Sequence, residues 1–401
     1  MTASPKSLAP RPLSLAAVLE HAWGADDFTA SAVMGATGLT RSTTIEAMDT
    51  LAGLGLLREL PNARVTSSYR KGRPARRFEV REDAAVLVGV DAGHARVTVV
   101  VADLRSRTLA THRLALDVER DDATTRRRLI VAAVSDALRA AGRTRHDVLA
   151  VCVGVPAPVD AEGRSPRHRT GFWDLMNPGL VDAFAWAPLV RIDNDASLAA
   201  VAEGAVGAAV GCPDYVSLLA GTRLGAGVVV DGRVLRGAHG GVGEMIAFDH
   251  VDGVGSAEGL GTRAAQWARA EIAGARLAPE SALGAMPPER IDGRSVLELA
   301  AAGDADAGRV AARVAAVLAR IVSVLGSMFD PRLVVVSGAI SAGIDEVIAA
   351  ARLALPTDLD LPAPELVGSR LGADVVVVGA VAAASATARE RVLDVWRQPA
   401  T

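Results

Sequence analysis

Two glycine-bearing turns are the first places in this 401-residue sequence where residue type and spacing could do chemistry. Residues 86–103 read VLVGVDAGHARVTVVVAD, and residues 215–231 read YVSLLAGTRLGAGVVVD. Each pattern predicts a buried strand, a tight turn and a returning strand. A glycine turn lets backbone N–H groups approach phosphate oxygens without a Cβ in the way. A plain hairpin turn is the alternative, and it is the better interpretation of either turn taken alone.

Acidic side chains form a second candidate group. Asp195 follows Asn194 at the end of a short strand over 190–192, so its carboxylate should face the space between two halves of a domain, and both residues are predicted to contact a ligand there. A carboxylate there can accept hydrogen bonds from sugar-like hydroxyl groups or act as a general base. Glu244 and His239 stand in a glycine-rich segment. His239 ranks below the two acids, because such a histidine is more often structural than a ligand contact.

A third candidate group is basic. Residues 64–77 carry no acid, although the chain has a formal net charge of −3. A local basic cluster can hold nucleic-acid phosphates, and a solvated surface is the ordinary alternative. The basic residues are Arg64, Arg70, Lys71, Arg73, Arg76 and Arg77.

The elements that would position this cluster are three short helices. We expect the first over 13–23, a second capped by Thr29 or Ser31, a turn at Gly38, and a third over 41–52. A hairpin or wing should follow over 56–65. The third helix would expose a hydroxyl-rich first turn that suits the major groove. The residues predicted to contact DNA there are Thr40, Arg41, Ser42, Thr43 and Thr44.

The two strand-turn-strand units belong to a larger pattern. Each continues into a third strand-like stretch, and helices alternate with apolar strands through the rest of the chain. This predicts a duplicated α/β domain with a cleft between its halves. We expect a DNA-binding domain over 1–80 and two α/β subdomains over 86–210 and 211–401, with a C-terminal helix able to pack back on the first. The apolar stretch 375–388 is predicted to be a buried strand followed by a helix.

Composition excludes several other classes. Half of the residues are apolar and 22% are charged, which favours ordinary buried cores over disorder. Cys152 and Cys212 have no Cys or His neighbour at metal-ligand spacing, so reduced, inert thiols are expected. The N-terminus lacks a signal-peptide pattern, and the most apolar late stretch, 375–388, is shorter than a membrane span. We therefore expect a cytoplasmic protein with no membrane segment.

With these motifs in order, residues 86–390 resemble the ROK family of repressors, open reading frames and sugar kinases. The resemblance implies an actin-like fold of the sugar-kinase and Hsp70 type. The N-terminal part, ending in Gly-Arg-Pro at 72–74, resembles the winged helix-turn-helix of the family's repressor branch. The matching segments are GVDAG at 89–93, GVPAPVD at 154–160, NDA at 194–196, GT at 221–222, GAG at 225–227, GAHG at 237–240 and GE at 243–244.

Against the resemblance, the phosphate loops differ. Family kinases carry Gly-Gly-Thr-Lys in the first turn, where this chain has Gly93, His94, Ala95 and Arg96. Their Gly-Thr-Gly becomes Gly221, Thr222 and Arg223, which could clamp an anion or fill the space of the nucleotide. The family's zinc-binding cysteines are absent over 256–261, so neither zinc nor any other cofactor is expected.

Asp195 matches the family's catalytic base, but a sensor could use the same carboxylate to bind a sugar. The sequence thus predicts a transcriptional regulator, most often a repressor, of sugar or carbohydrate-derivative metabolism. Its partners would be a double-stranded DNA operator, a sugar or sugar-derivative effector, and further copies of itself in a homodimer or tetramer. The alternative is an ATP-dependent sugar kinase of the ROK family.

Overall fold

The structure is a computed structural model that describes residues 13–61, 75–274, 277–338, 344–357 and 361–396. In its described part, the N-terminal unit consists of three helices and three short strands. In chain order they are α1 (Leu13–Gly24), β1 (Phe28–Thr29), α2 (Ala30–Thr37), α3 (Arg41–Gly53), β2 (Leu57–Leu60) and β3 (Arg77–Val80). Strand β3 lies between β1 and β2 and is antiparallel to both.

The helix ends of this unit follow from its capping residues, as predicted. The Thr29 side chain accepts a hydrogen bond from the Ala32 amide at the start of α2, and Gly38 ends that helix with a φ of 70°. Thr40 caps α3 by accepting from the Thr43 amide. These caps confirm the predicted helix boundaries.

The next part of the chain forms a five-stranded sheet in the order β6-β5-β4-β7-β8. The first three strands are antiparallel, and the last two run parallel to β4. The elements are β4 (Val86–Ala92), β5 (Arg96–Asp103), β6 (Thr108–Ala115), α4 (Ala123–Ala140), β7 (Val148–Val155), α5 (Phe172–Met176), α6 (Leu180–Ala183), β8 (Leu189–Asn194) and α7 (Asp195–Val206).

A second five-stranded sheet has the order β11-β10-β9-β12-β13. Its sequence of antiparallel and parallel pairs repeats that of the first sheet, which is the duplication that the two glycine-turn units predict. The elements are β9 (Tyr215–Ala220), β10 (Leu224–Val230), β11 (Arg233–Val234), α8 (Leu260–Ala273), α9 (Gly293–Ala301), α10 (Ala305–Phe329), β12 (Leu333–Ser337), α11 (Ile344–Leu353), β13 (Glu365–Gly368) and α12 (Val375–Val395).

Helix α12 leaves the second sheet and returns to the first. It packs on β4, β7 and α7, and three glycines allow its close approach. A Cβ on Gly89 would lie 2.6 Å from a Val381 methyl group, and one on Gly154 would lie 2.8 Å from a Val376 methyl group. A Cβ on Gly379 would lie 1.9 Å from the Leu198 carbonyl oxygen. The last helix of the chain is therefore part of the first core.

The prediction of a strand within 375–388 is wrong, because the whole stretch belongs to α12. Four consecutive valines favour a strand by propensity. In the structure α12 is enclosed by the sheet on one side and α7 on the other, so most of its surface is apolar and no clear helical period appears in the sequence. Burial outweighs the β preference of valine here.

Two helices have the length and apolar composition of a membrane span, over Ala305–Phe329 and Gly372–Val395. About half of each apolar window is buried inside the fold. Their apolar faces belong to the cores of the two sheets, where Val314 and Leu318 pack in the second core and Ala380 and Ala384 in the first. This burial explains their hydrophobicity as that of core helices.

The contact at Gly379 gives a stability prediction. Gly379→Ala should lower the free energy of unfolding by about 1–3 kcal/mol, because the new methyl group would overlap the Leu198 backbone. Gly308→Ala in α10 is the matched control: its added Cβ meets nothing within 4 Å, so it should stabilise by about 0.5–1 kcal/mol through helix propensity. Urea unfolding of both variants measures the difference. If the two substitutions changed the free energy of unfolding equally, α7 and α12 could move apart without loss of stability.

Candidate ligand-binding cleft and DNA-contact surface

Asp195 is placed by the junction of β8 and α7. The Asn194 side chain accepts a hydrogen bond from the Ser197 amide at 3.0 Å and donates to the Ala157 carbonyl at 3.2 Å. Asp195 is the first residue of α7, and its Oδ1 accepts from the Ala196 amide at 2.8 Å. Asn194 thus positions Asp195 through one hydrogen bond at each end of its amide, and one N–H and one oxygen lone pair of the amide stay available to a ligand.

Glu244 reaches the same region through a tight glycine segment. It forms a β-bridge with Gly225 on β10, and the Ala226 amide donates to the Gly243 carbonyl at 3.0 Å. Gly225 in turn faces Ala196, with 3.1 Å from an added Cβ to the Ala196 Cβ. At Gly243, with a φ of +88°, a Cβ would lie 1.7 Å from the Ala226 carbonyl oxygen. Only glycine permits this passage, which brings Glu244 beside the start of α7.

Asp91 and Glu244 act electrostatically on Asp195 in the cleft. Burial, together with the negative charges of Asp91 and Glu244, raises the pKa of Asp195 to about 8. Burial also raises the pKa of Asp91 to about 6, against the opposing charge of Arg96. The Glu244 pKa is raised by burial and opposed by Arg223. The cleft therefore holds carboxyl groups that bind protons more readily than exposed acids do.

The first glycine turn is braced by a residue that sequence reasoning missed. Arg126 of α4 is buried and donates to three carbonyl oxygens of this turn, those of Ala92 at 2.5 Å, Gly93 at 2.9 Å and His94 at 3.2 Å. Burial lowers the Arg126 pKa to about 10. The signal was an arginine on the otherwise apolar face of α4 with Ile130 and Ala133. Such a residue fixes the turn from behind.

The front of the same turn is occupied by His94. Its ring meets the Phe172 ring edge-on at a centroid distance of 5.6 Å. His168 completes the group, at 4.6 Å from Trp173 and 6.4 Å from Phe172. The segment at 165–173 therefore packs against His94 of this turn. Arg96 is exposed at the end of the turn.

The second glycine turn is closed by the segment that follows Glu244. The Gly259 amide and the Thr262 hydroxyl both donate to the Thr222 carbonyl, at 2.9 Å and 3.0 Å. A Cβ on Gly259 would lie 1.8 Å from the Gly221 carbonyl oxygen. Gly221, Thr222 and Arg223 are exposed. The turn thus exposes the Arg223 side chain, whose charge acts on Glu244.

A buried acid joins the two halves of the cleft. The Oδ2 atom of Asp193 accepts from Arg191 at 2.5 Å and from Arg236 at 2.9 Å. Arg191 and Asp193 lie on β8, whereas Arg236 precedes the glycine segment that carries Glu244. Sequence reasoning missed this pairing, because the three residues look like ordinary surface charges until the fold joins them. His239, in the same glycine segment, is exposed.

On the N-terminal unit, the structure exposes part of the predicted DNA-contact turn. Arg41 and Ser42 are exposed at the start of α3, and the Thr40 hydroxyl lies 2.9 Å from that of Thr43. The prediction that Thr44 is exposed is wrong: it is fully buried, and its hydroxyl donates to the Thr40 carbonyl at 2.9 Å. Thr44 is the last of the five predicted contact residues, and the period of the helix places it on the side of α3 that faces the core.

The basic cluster is only partly described. Arg64, Arg70, Lys71 and Arg73 lie outside the described residues. Arg76 donates to Glu59 and Asp49, each at 2.8 Å, and Arg77 is paired with Asp27. The segment itself contains no acid, but the fold brings acids to it from α3, β2 and the residues before β1. These two arginines are therefore charge-compensated.

Within the described ranges, no group of three or more His, Cys, Asp and Glu side chains is placed to hold a metal ion. Cys152 is buried, and burial raises its thiol pKa to about 12, as expected of an inert thiol. Cys212 is half-buried and donates to the Asp214 carbonyl at 3.3 Å.

Comparison with known proteins identifies the larger part of the chain. The family model of the ROK family matches residues 87–385. A glucokinase of Thermotoga maritima is 30% identical over 203 residues, which cover 48% of this chain and 64% of that enzyme. The DNA-binding transcriptional dual regulator NagC of Escherichia coli is 25% identical over 264 residues, which cover 63% of each protein. The chain thus spans somewhat less than two thirds of these relatives.

A solved structure shares nearly the whole fold. It is a ROK family transcriptional regulator, a homologue of the Escherichia coli MLC protein, with a TM-score of 0.72 and 19% identity. The match covers 95% of this chain and 97% of that one. The chain therefore has the sugar-kinase-like fold of the ROK family. The predicted resemblance to that family is confirmed.

The raised pKa of Asp195 predicts a pH dependence of stability. The folded pKa of about 8 lies above the unfolded value near 3.9, so the folded state binds the extra proton and is destabilised as pH rises between these values. Asp195→Asn removes this titration. Its melting temperature relative to wild type should therefore rise steadily from pH 5 to pH 8.

The exposed Asp249 supplies the control. Asp249→Asn should show no comparable trend in differential scanning fluorimetry over the same pH range. A constant difference between Asp195→Asn and wild type would show that Asp195 is ionised throughout.

Proposed function

The chain belongs to the ROK family, and from this premise we propose that it is a sequence-specific DNA-binding transcriptional regulator controlled by a sugar or sugar derivative. The carrying observation is the N-terminal unit, which precedes the ROK domain and exposes Arg41 and Ser42 at the start of α3. We assign this unit as a winged helix-turn-helix, with α3 as the recognition helix. It would act on double-stranded DNA in the cytoplasm.

The order of elements supports this assignment. Helix α2, the turn at Gly38 and α3 form the helix-turn-helix, and β2 and β3 form the base of a wing. The Thr40 cap leaves the first turn of α3 facing outward. In such folds this turn enters the major groove, where an arginine fork can reach guanine and hydroxyl groups can reach phosphates. Two copies in a homodimer, or four in a tetramer, would read an inverted repeat.

The cleft supports control by a polyhydroxylated ligand. Asp91, Asp195 and Glu244 offer acceptors that are partly shielded from water, and a carboxyl group with a raised pKa can also donate when protonated. Such mixed donors and acceptors suit sugar hydroxyl groups, which do both. NagC, whose name gives it a DNA-binding regulatory role, is a relative with this domain.

The phosphate side supports binding without phosphoryl transfer. His94 fills the front of the first turn against Phe172, and Arg126 fixes the same turn from behind. Arg223 stands where family kinases carry glycine. We infer that these side chains take up space that a nucleotide needs, so that no nucleotide cofactor is used.

A sugar kinase remains the second candidate because of one observation. The Asp195 carboxyl has its pKa raised to about 8, within the range that suits a general base near neutral pH. The Thermotoga relative is a glucokinase. This candidate requires turnover of ATP, which the regulator does not.

The DNA-binding proposal predicts the effect of Arg41→Ala. Loss of a base contact should weaken binding to DNA selected by the wild-type protein by about 1–3 kcal/mol and relax sequence choice at one position. Arg294→Ala, which removes an exposed arginine paired with Glu298 on α9, is the matched control and should leave DNA binding unchanged. Fluorescence anisotropy at fixed salt measures both affinities. Equal affinity of Arg41→Ala and wild type would remove α3 from the interface.

Asp195→Asn separates sensing from catalysis. The amide places two N–H donors where the carboxyl group has one at most, so affinity for a sugar found by calorimetric screening should fall by about 1–3 kcal/mol while DNA binding without sugar persists. Wild type should release no ADP with that sugar and ATP in a coupled assay. Phosphorylation by wild type that the substitution abolishes would make the kinase assignment correct.

A further inference from the structure

The N-terminal unit shares a hydrophobic core with the ROK domain. Val18, Trp23 and Leu51 belong to the same buried cluster as Leu87 of the first sheet and Val392 of α12. A domain carried on a loose linker would have a separate core. The packing therefore holds the N-terminal unit in a defined orientation on the ROK domain.

The Arg105 side chain holds α1 by hydrogen bonds to backbone carbonyl groups at the end of that helix. The Asp103 Oδ1 atom accepts from the amides of Arg105 and Arg107, at 2.8 Å and 2.9 Å, and so shapes the turn between β5 and β6. The Arg105 guanidinium donates to the Ala25 carbonyl at 2.7 Å and to the Trp23 carbonyl at 3.4 Å. These carbonyl groups lie at the C-terminal end of α1, where a helix lacks its own donors and favours a cation.

Trp396 does the same for α3. Its indole Nε1 donates to the Leu54 carbonyl at 2.8 Å, and Leu54 is the C-cap residue that follows α3. Earlier in α12, the Arg389 guanidinium lies 5.5 Å from the centre of the Trp23 ring. The C-terminal end of α12 thus holds both α1 and α3.

The opposite end of α12 lies at the cleft. Asp374, just before the helix, accepts from Arg113 at 2.9 Å, and its charge raises the pKa of Asp91. The helix has 21 residues and so spans about 30 Å. One rigid element therefore connects the carboxyl cluster with the end of α3.

We propose that Arg105 and Trp396 are positioning residues for DNA recognition. They cap the carbonyl ends of α1 and α3 from the ROK domain, and the angle of α3 is thereby set by the ROK domain rather than by the DNA. In a symmetric dimer this fixes the distance and rotation between two recognition helices, and hence the spacing of the half-sites that the dimer accepts. The proposal rests on the proposed DNA-binding function.

The test uses the full chain with Trp396→Phe, Arg105→Met and the double variant. Trp396→Phe keeps an aromatic ring but loses the N–H donor, and Arg105→Met keeps an aliphatic stem but loses the guanidinium. The matched controls are Trp267→Phe, whose ring packs under Arg313 in the second half, and Arg139→Met, which removes a surface pair with Asp136. The probe is an inverted repeat selected by the wild-type protein from random DNA, with none or two base pairs inserted between the half-sites.

Two inserted base pairs rotate one half-site by about 70° relative to the other. We expect the insertion to weaken wild-type and control binding at least about tenfold, and double-variant binding less than about threefold. Amide exchange at Leu54–Leu56 needs no DNA and should be about fivefold faster in Trp396→Phe, as expected for the loss of one hydrogen bond.

The outcomes separate the two levels of the argument. If the wild-type protein selects no DNA, the proposed function fails, and the amide exchange still shows whether Trp396 holds α3. If the variants bind DNA with the same spacing dependence and the same exchange rates as wild type, the positioning role is wrong while the proposed function stands. Changes shared by the control variants would also overturn it.

Discussion

The close crossing of α7 and α12 is the constraint on which the rest of the structure depends. At Gly379 the two helices approach so closely that one methyl group would overlap the Leu198 backbone. Helix α7 begins at Asp195 in the cleft, and α12 ends beside α3. Because interiors are packed as densely as crystals, neither helix can move far without moving the other. The crossing therefore joins the carboxyl groups at the start of α7 and the end of α3 mechanically.

The cleft itself depends on balanced charges. Three carboxyl groups are gathered in partly dry surroundings, and each raises the energy of its neighbours' ionised forms. Asp193 opposes this repulsion, because its two arginine partners join the strand that carries Asp195 to the segment that carries Glu244. The carboxyl groups can therefore stay close together without forcing the two halves apart.

Much of the fold was predictable, because local rules and tertiary packing agree over most of the chain. The caps at Thr29 and Thr40 and the two glycine-turn hairpins followed from residue type alone. The failures have physical causes. The valines at the start of α12 indicate a strand until the enclosure of that helix is known, and Thr44 looks exposed until its helical rotation is seen. The roles of Arg126 and Asp193 depend on contacts over long sequence distances, which no local pattern encodes.

The ion pairs of Arg76 and Arg77 have a consequence for searching a genome. Each guanidinium already has carboxylate partners, so a DNA phosphate that approaches must displace an internal anion rather than occupy an empty site. In the proposed DNA-binding function, these two arginines would add little to the affinity for arbitrary DNA, because indiscriminate affinity derives chiefly from uncompensated cations that release counterions. In the proposed regulator, these two compensated arginines would shorten the time spent on unrelated sequences. Affinity would then depend more on sites where contacts to the bases add to those with the backbone.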